Sequence, residues 1–106
     1  MYTLRFMFAY GESTTCLWSD NSETENKFGY IIELEQLSIP EELKNELKAL
    51  CEEFQTSLNW ENPAEGSIWT KDQKELFHQK TVILHKKLVK ALGSTFEVVL
   101  HERFEF

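Results

Sequence analysis

Residues 2–10, YTLRFMFAY, place Tyr2, Leu4, Phe6, Phe8 and Tyr10 at alternate positions, the period of a β-strand. Met7 and Ala9 make the opposite face partly apolar, so the strand is expected inside a sheet rather than at its edge. Gly11-Glu12-Ser13 can turn the chain, and TTCLW (14–18) can return as a second strand. SDNSETENKFG (19–29) is polar and without periodicity, and reads as an exposed loop. In YIIELEQL (30–37), Tyr30, Ile32 and Leu34 alternate with Ile31, Glu33 and Glu35, which fits a half-buried strand.

Ser38-Ile39-Pro40-Glu41 has the spacing of a capping box. Leu43, Leu47, Leu50, Cys51, Phe54 and Leu58 then recur at intervals of three and four, predicting an amphipathic helix of about five turns. Thr70-Lys71-Asp72-Gln73 is a second capping box. It opens a helix running to Leu92, with Gly93 just past its end. Leu76, Phe77, Ile83, Leu84, Leu88, Ala91 and Leu92 form one broad arc on this second helix. Val82 and Val89, flanked by His78 and His85, form another stripe, so the helix is expected to bury more than one side, against the sheet and either the first helix or another chain. TFEVVLHERFEF (95–106) alternates again, with Phe96, Val98, Leu100, Phe104 and Phe106 on one face. These elements predict a single domain over residues 1–106. Its class is α+β: a two-layer sandwich with a mostly antiparallel sheet of about four strands, in the order β-β-β-α-α-β, and two long helices packed on one face.

Composition sharpens this picture. Eight Phe, three Tyr and three Trp in 106 residues supply a core without metals or disulfides and argue against disorder. The net charge of −7 makes nucleic acid a poor partner, because phosphate binding needs clustered Lys and Arg. The acid is concentrated: residues 1–60 carry the whole net of −7, while residues 61–106 are balanced. Such a surface attracts basic partners, although net charge also serves solubility alone. Cys16 and Cys51 lie 35 positions apart without a CxxC pattern; they are expected as reduced thiols unless the fold brings them together. No signal peptide and no apolar run of membrane-spanning length is visible, which makes the cytoplasm the expected location.

No motif announces a reaction. His78 and His85 are about 10 Å apart along a helix, too far for one metal ion. There is no GxSxG, SxxK or Gly-rich phosphate loop. Adjacent carboxylates such as Glu41-Glu42 and Glu52-Glu53 diverge on a helix. The expectation is a protein without catalytic residues, metal or cofactor.

What remains are aromatic and acidic groups. Trp60 and Trp69 bracket Pro63 and Gly66 in SLNWENPAEGSIWTKDQ (57–73). Two readings fit: the indoles staple the loop onto the helix ends, or at least one is an exposed anchor of the kind found at binding hot spots. Glu42, Glu46 and Glu53 fall within about 40° on the first helix. They form either a solvated flank or a strip facing a basic partner.

The succession LWS…FGYIIELEQLSIPEELKNELKAL…FQTSLNWENP…SIWTKDQKELF…LVKALGSTFEV resembles a family of small, acidic bacterial immunity-type proteins of contact-dependent inhibition and polymorphic toxin systems. The likeness covers roughly residues 16 to 99, and its motifs are structural. It implies a partner: a cognate toxin domain, basic in charge and of a kind that includes nucleases, which the acidic protein blocks. The partner-binding residues expected on this reading are Trp18, Asp20, Glu23 and Glu25 in the first loop, Glu42, Glu46 and Glu53 on the first helix, and Trp60, Glu61 and Trp69 in the second loop. The competing expectation is a small housekeeping or adaptor domain that self-associates as a homodimer through Val82 and Val89.

Overall fold

The computed structural model describes residues 1–62, 64 and 67–100. In chain order the elements are β1 (Tyr2–Phe6), β2 (Leu17–Ser19), α1 (Ser22–Phe28), β3 (Ile31–Ile32), a 3-10 turn over Leu34–Gln36, α2 (Glu41–Gln55), α3 (Lys71–Leu92) and β4 (Phe96–Leu100). The class is the α+β class read from the pattern. The sheet order is β3-β2-β1-β4, so β1 is interior, as its two apolar faces predict. The sheet is mixed: β2 runs antiparallel to β1 and to β3, whereas β4 lies parallel to β1.

One face of the sheet is sealed. Leu4 and Phe6 of β1, Leu17 of β2, Ile32 of β3 and Val98 of β4 are buried beneath Leu43, Leu47, Leu50, Cys51 and Phe54 of α2 and Phe77, Leu84 and Leu88 of α3. Phe8 lies between the layers, its ring 5.4 Å from Phe54 and 5.0 Å from Phe77. Burial of such large side chains contributes roughly 1.5–3 kcal/mol each.

Four local expectations are corrected. The segment read as a loop contains α1. Its Asn21 cap accepts hydrogen bonds from the Thr24 backbone amide (2.9 Å) and the Thr24 hydroxyl (2.6 Å), with Glu23 and Glu25 in the first turn. Thr24 is buried, and its Oγ1 accepts the Thr3 amide at 2.8 Å; tertiary anchoring, not periodicity, makes so short a helix. The second strand is Leu17–Ser19 rather than 14–18. The strand expected over 30–37 is only Ile31–Ile32, because Glu33 and Gln36 close a capping box around the 3-10 turn. Finally, the Ser38–Glu41 box does not form. Pro40 is the cap of α2 and no side chain bonds there; the helix ends at Gln55, short of Leu58.

The Thr70–Gln73 box does form, with reciprocal bonds of 2.7 and 3.2 Å. Gly93 follows α3 at φ +78°, a conformation that strains other residues. Residues 101–106 of the expected last strand, with Phe104 and Phe106, and Pro63 and Gly66 of the 57–73 stretch, lie outside the described residues.

Candidate functional site on the open face of the sheet

Among the described residues, no element covers the second face of the sheet. The register lines up a row across all four strands: Ile31 beside Trp18, Trp18 beside Arg5, Arg5 beside Val99. Side chains alternate between faces along a strand, so burial of Leu17, Ile32, Leu4 and Val98 forces this row outward. A wet face normally carries polar residues. Here Ile31 is 40% exposed and Val99 37% exposed.

Trp18 is held in place. Its Nε1 donates to the Met7 carbonyl at 3.0 Å, and Tyr30 stands edge-on to the indole with ring centres 5.7 Å apart. Tyr30 itself is 52% exposed. Arg5 donates to Asp20 through Nε (3.3 Å) and Nη2 (3.0 Å), which fixes the guanidinium over the sheet. Glu23 lies at the end where β1 begins, 3.3 Å from the terminal ammonium of Met1. Trp, Tyr and Arg are the side chains most enriched at binding hot spots; here all three converge. The four strands, of five, three, two and five residues, cover roughly 240 Å² at about 3.3 Å per residue and about 4.8 Å between strands. That is the centre of a standard patch of ~800 Å² per partner, whose rim α1 and Glu97 would supply.

The expected partner-binding residues divide among separate regions. Trp18, Asp20 and Glu23 belong to the open face and its rim, and Glu25 is exposed on α1. Glu42, Glu46 and Glu53 line a furrow between α2 and α3 on the other side of the molecule. Glu46 is paired with Lys87 at 3.2 Å and Glu53 with Lys80 at 2.9 Å, so most of this strip's charge is neutralised within the chain. Trp69 also lines the furrow, at the end near Thr56 and Leu76. It is tucked, with its ring 5.0 Å from Phe77 and packed against the core. Trp60 is 55% exposed, though its Nε1 donates to the Gln55 carbonyl at 2.7 Å and its ring meets Tyr10 edge-on. Its neighbour Glu61 is exposed. One indole staples and the other is open.

Arg5, Tyr30, Ile31 and Val99 are missing from the sequence-derived set. The signal was present in the consecutive isoleucines Ile31-Ile32: a strand with one wet face has no use for both. Only the register, however, puts Ile31 next to Trp18.

Other chemistry is sparse. Among the described residues, no group of three or more His, Cys, Asp or Glu is placed to hold a metal. Cys16 and Cys51 are both free and buried. The fold does bring them together: burial, reinforced by the neighbouring Cys51, pushes the Cys16 thiol well above its usual pKa. A neutral buried thiol is a poor nucleophile. No helix of the described residues is long and apolar enough to cross a membrane.

Residues 2–103 match the family of Serratia CdiI immunity protein-like proteins, and the chain belongs to that family. This is the contact-dependent inhibition immunity class that the sequence resembles. No curated protein matches the chain.

Proposed function

We propose that this chain neutralises a cognate toxin domain by binding it directly, without catalysis, through the open face of the sheet. Trp18 sits at the centre of the contact. Arg5, Tyr30, Ile31 and Val99 surround it; Glu97 lies at the rim with Asp20 and Glu23, whose charges are paired with Arg5 and the Met1 ammonium. The observation that carries this reading is the Ile31–Trp18–Arg5–Val99 row with Tyr30 against Trp18: a sheet face with three hot-spot residue types and apolar neighbours where a solvated face needs neither. The net charge of −7 supports a basic toxin domain, such as a nuclease, met in the cytoplasm. Rim carboxylates then speed encounter more than they hold the complex.

The test is calorimetric titration with the toxin domain encoded by the neighbouring reading frame. Tyr30→Ala and Ile31→Lys alter exposed side chains and should leave the fold intact. Each is expected to lose about 2 kcal/mol of binding, roughly 30-fold in affinity. Glu42→Ala, on the opposite side, should bind as the parent does. Unchanged affinity in both sheet-face variants, with normal circular dichroism, would remove the open face from the interface.

A further inference from the structure

The free edge of β4 raises a second question. Tyr2 N–H donates to the Thr95 carbonyl at 3.0 Å, and Tyr2 stands opposite Phe96 in parallel register. In a parallel ladder a residue bonds to the two neighbours of its opposite number. The groups of Thr95, Glu97 and Val99 are therefore turned toward β1, and those of Phe96, Val98 and Leu100 point away from it. Phe96 N–H turns back to Gly93 at 3.4 Å, and the Val98 carbonyl accepts His85 Nε2 at 2.8 Å. The Val98 N–H has no acceptor among the described residues. Exposed edges are ordinarily blunted by charge, proline or a covering element. Among the described residues this one has Glu97 as its single charge and no proline, and the bond from His85 of α3 reaches only the Val98 carbonyl.

We infer that two copies of this chain pair through this edge and the adjoining flank of α3, giving a two-fold dimer with one sheet running through both. Two elements agree on the same axis. In the strand, the outward groups are centred on Val98, with Phe96 and Leu100 on either side. An antiparallel second copy therefore sets Val98 against Val98 and Phe96 against Leu100, in a register that satisfies the Val98 N–H. On α3, His85 stands at the level of Val98 through its bond to that carbonyl. Val82 lies three residues before His85 and Val89 four residues after it, about one helical turn on each side. An axis at that level brings Val82 onto the second copy's Val89. Val82 is half-buried and Val89 is 42% exposed, so these two apolar side chains, interspersed with His78 and His85 along the helix, are available on this flank. Both copies keep their open sheet faces, and the dimer presents them on the same side.

Sedimentation across a concentration series, with hydrogen exchange read at the Val98 amide, tests the arrangement. The wild-type chain is expected to approach twice its 12.5 kDa mass as concentration rises, while exchange at Val98 slows in parallel. Val89→Glu should raise the dissociation constant roughly tenfold or more, with an unchanged circular dichroism spectrum, and should keep Val98 exchanging fast. A monomer throughout the series overturns the inference. A dimer whose Val98 amide exchanges freely also overturns it, because the contact then lies elsewhere. Slowed exchange that appears only when the toxin domain is added assigns the edge to an extended segment of that partner and overturns it too.

Discussion

Gln55, the last residue of α2, is the knot between the β1–β2 turn and the helix layer, and replacing it is a stringent test of this reading. Its Nε2 donates to the carbonyls of Ala9 (3.0 Å) and Glu12 (3.1 Å), and its Oε1 accepts the Gly11 amide at 2.8 Å. Gln55→Leu keeps the shape and removes all three bonds. A net hydrogen bond is worth about 0.5–1.5 kcal/mol, so the ceiling for three is about 4.5 kcal/mol. Gly11 is exposed and Ala9 and Glu12 are half-buried, which lets water replace part of the loss. The expected cost is therefore about 2 kcal/mol, and the melting temperature should fall by roughly 8–16 °C for a chain of this size. Gln55→Glu is the sharper variant. At neutral pH it keeps an acceptor for Gly11 but faces two carbonyls with a carboxylate. That raises its folded-state pKa above the unfolded value and makes it destabilising until acid protonates it. Its deficit relative to the parent should then shrink as pH falls through that raised pKa. Urea unfolding at several pH values measures both. A Leu variant within about 0.5 kcal/mol of wild type, the range of ordinary surface sites, would show that the turn is held by Tyr10 and its hydrogen bond of 2.7 Å to Ser57 instead.

Trp69→Ala should cost about 2–4 kcal/mol, below a fully buried truncation because the ring is only half-buried; Trp60→Ala should cost about 1 kcal/mol or less, and equal losses in chemical unfolding would contradict the difference in their packing. Thr70→Ala should cost about 1 kcal/mol by opening the capping box of α3, read the same way. Iodoacetamide should leave Cys16 and Cys51 unmodified in the folded protein and label both in urea, by intact mass; rapid labelling without denaturant would refute their burial. The hydrogen bond from Lys48 holds the Glu35 carboxyl below the ordinary glutamate range. Its contribution is therefore present at neutral pH and fades as pH falls through that lowered value; carbon-detected titration should show the shift shrink in Lys48→Met, a backbone hydrogen bond and Lys44 keeping part of it, and an unmoved Glu35 would break the assignment.

How much of this was legible beforehand follows from what each feature depends on. The Thr70 box and the length of α3 are local, set by residues within a few positions of one another, and they stand as read. β1 was recognised as interior because both its faces carry apolar side chains. α1 was hidden because its stability comes from Thr24 meeting the Thr3 amide, 21 residues away. The Ser38 box failed although its spacing was right, because Pro40 takes the cap position and the helix begins after it. The same logic governs the site. Trp18 and Asp20 were picked by residue type alone, but their neighbours Arg5, Ile31 and Val99 come from three other strands, and only the register joins them. The Glu42–Glu46–Glu53 stripe was found by periodicity; the lysines that neutralise two of its members sit on α3, where no helical wheel of α2 displays them.

The parallel pairing of the first strand with the last has a consequence for timing in the cell. Tyr2 is opposite Phe96, so the central strand of the sheet leaves the ribosome long before its second neighbour exists. At translation rates of about 5–20 residues per second, that interval is on the order of 5–20 s. During it, β1 can pair with β2, a few residues downstream, but one side of it stays unfilled and Leu4 and Phe6 lack the cover of α3. A nascent chain stopped before β4 would hold an incomplete sheet and no finished open face. On the proposed binding mode, the contact surface of each molecule is complete only once β4 has emerged.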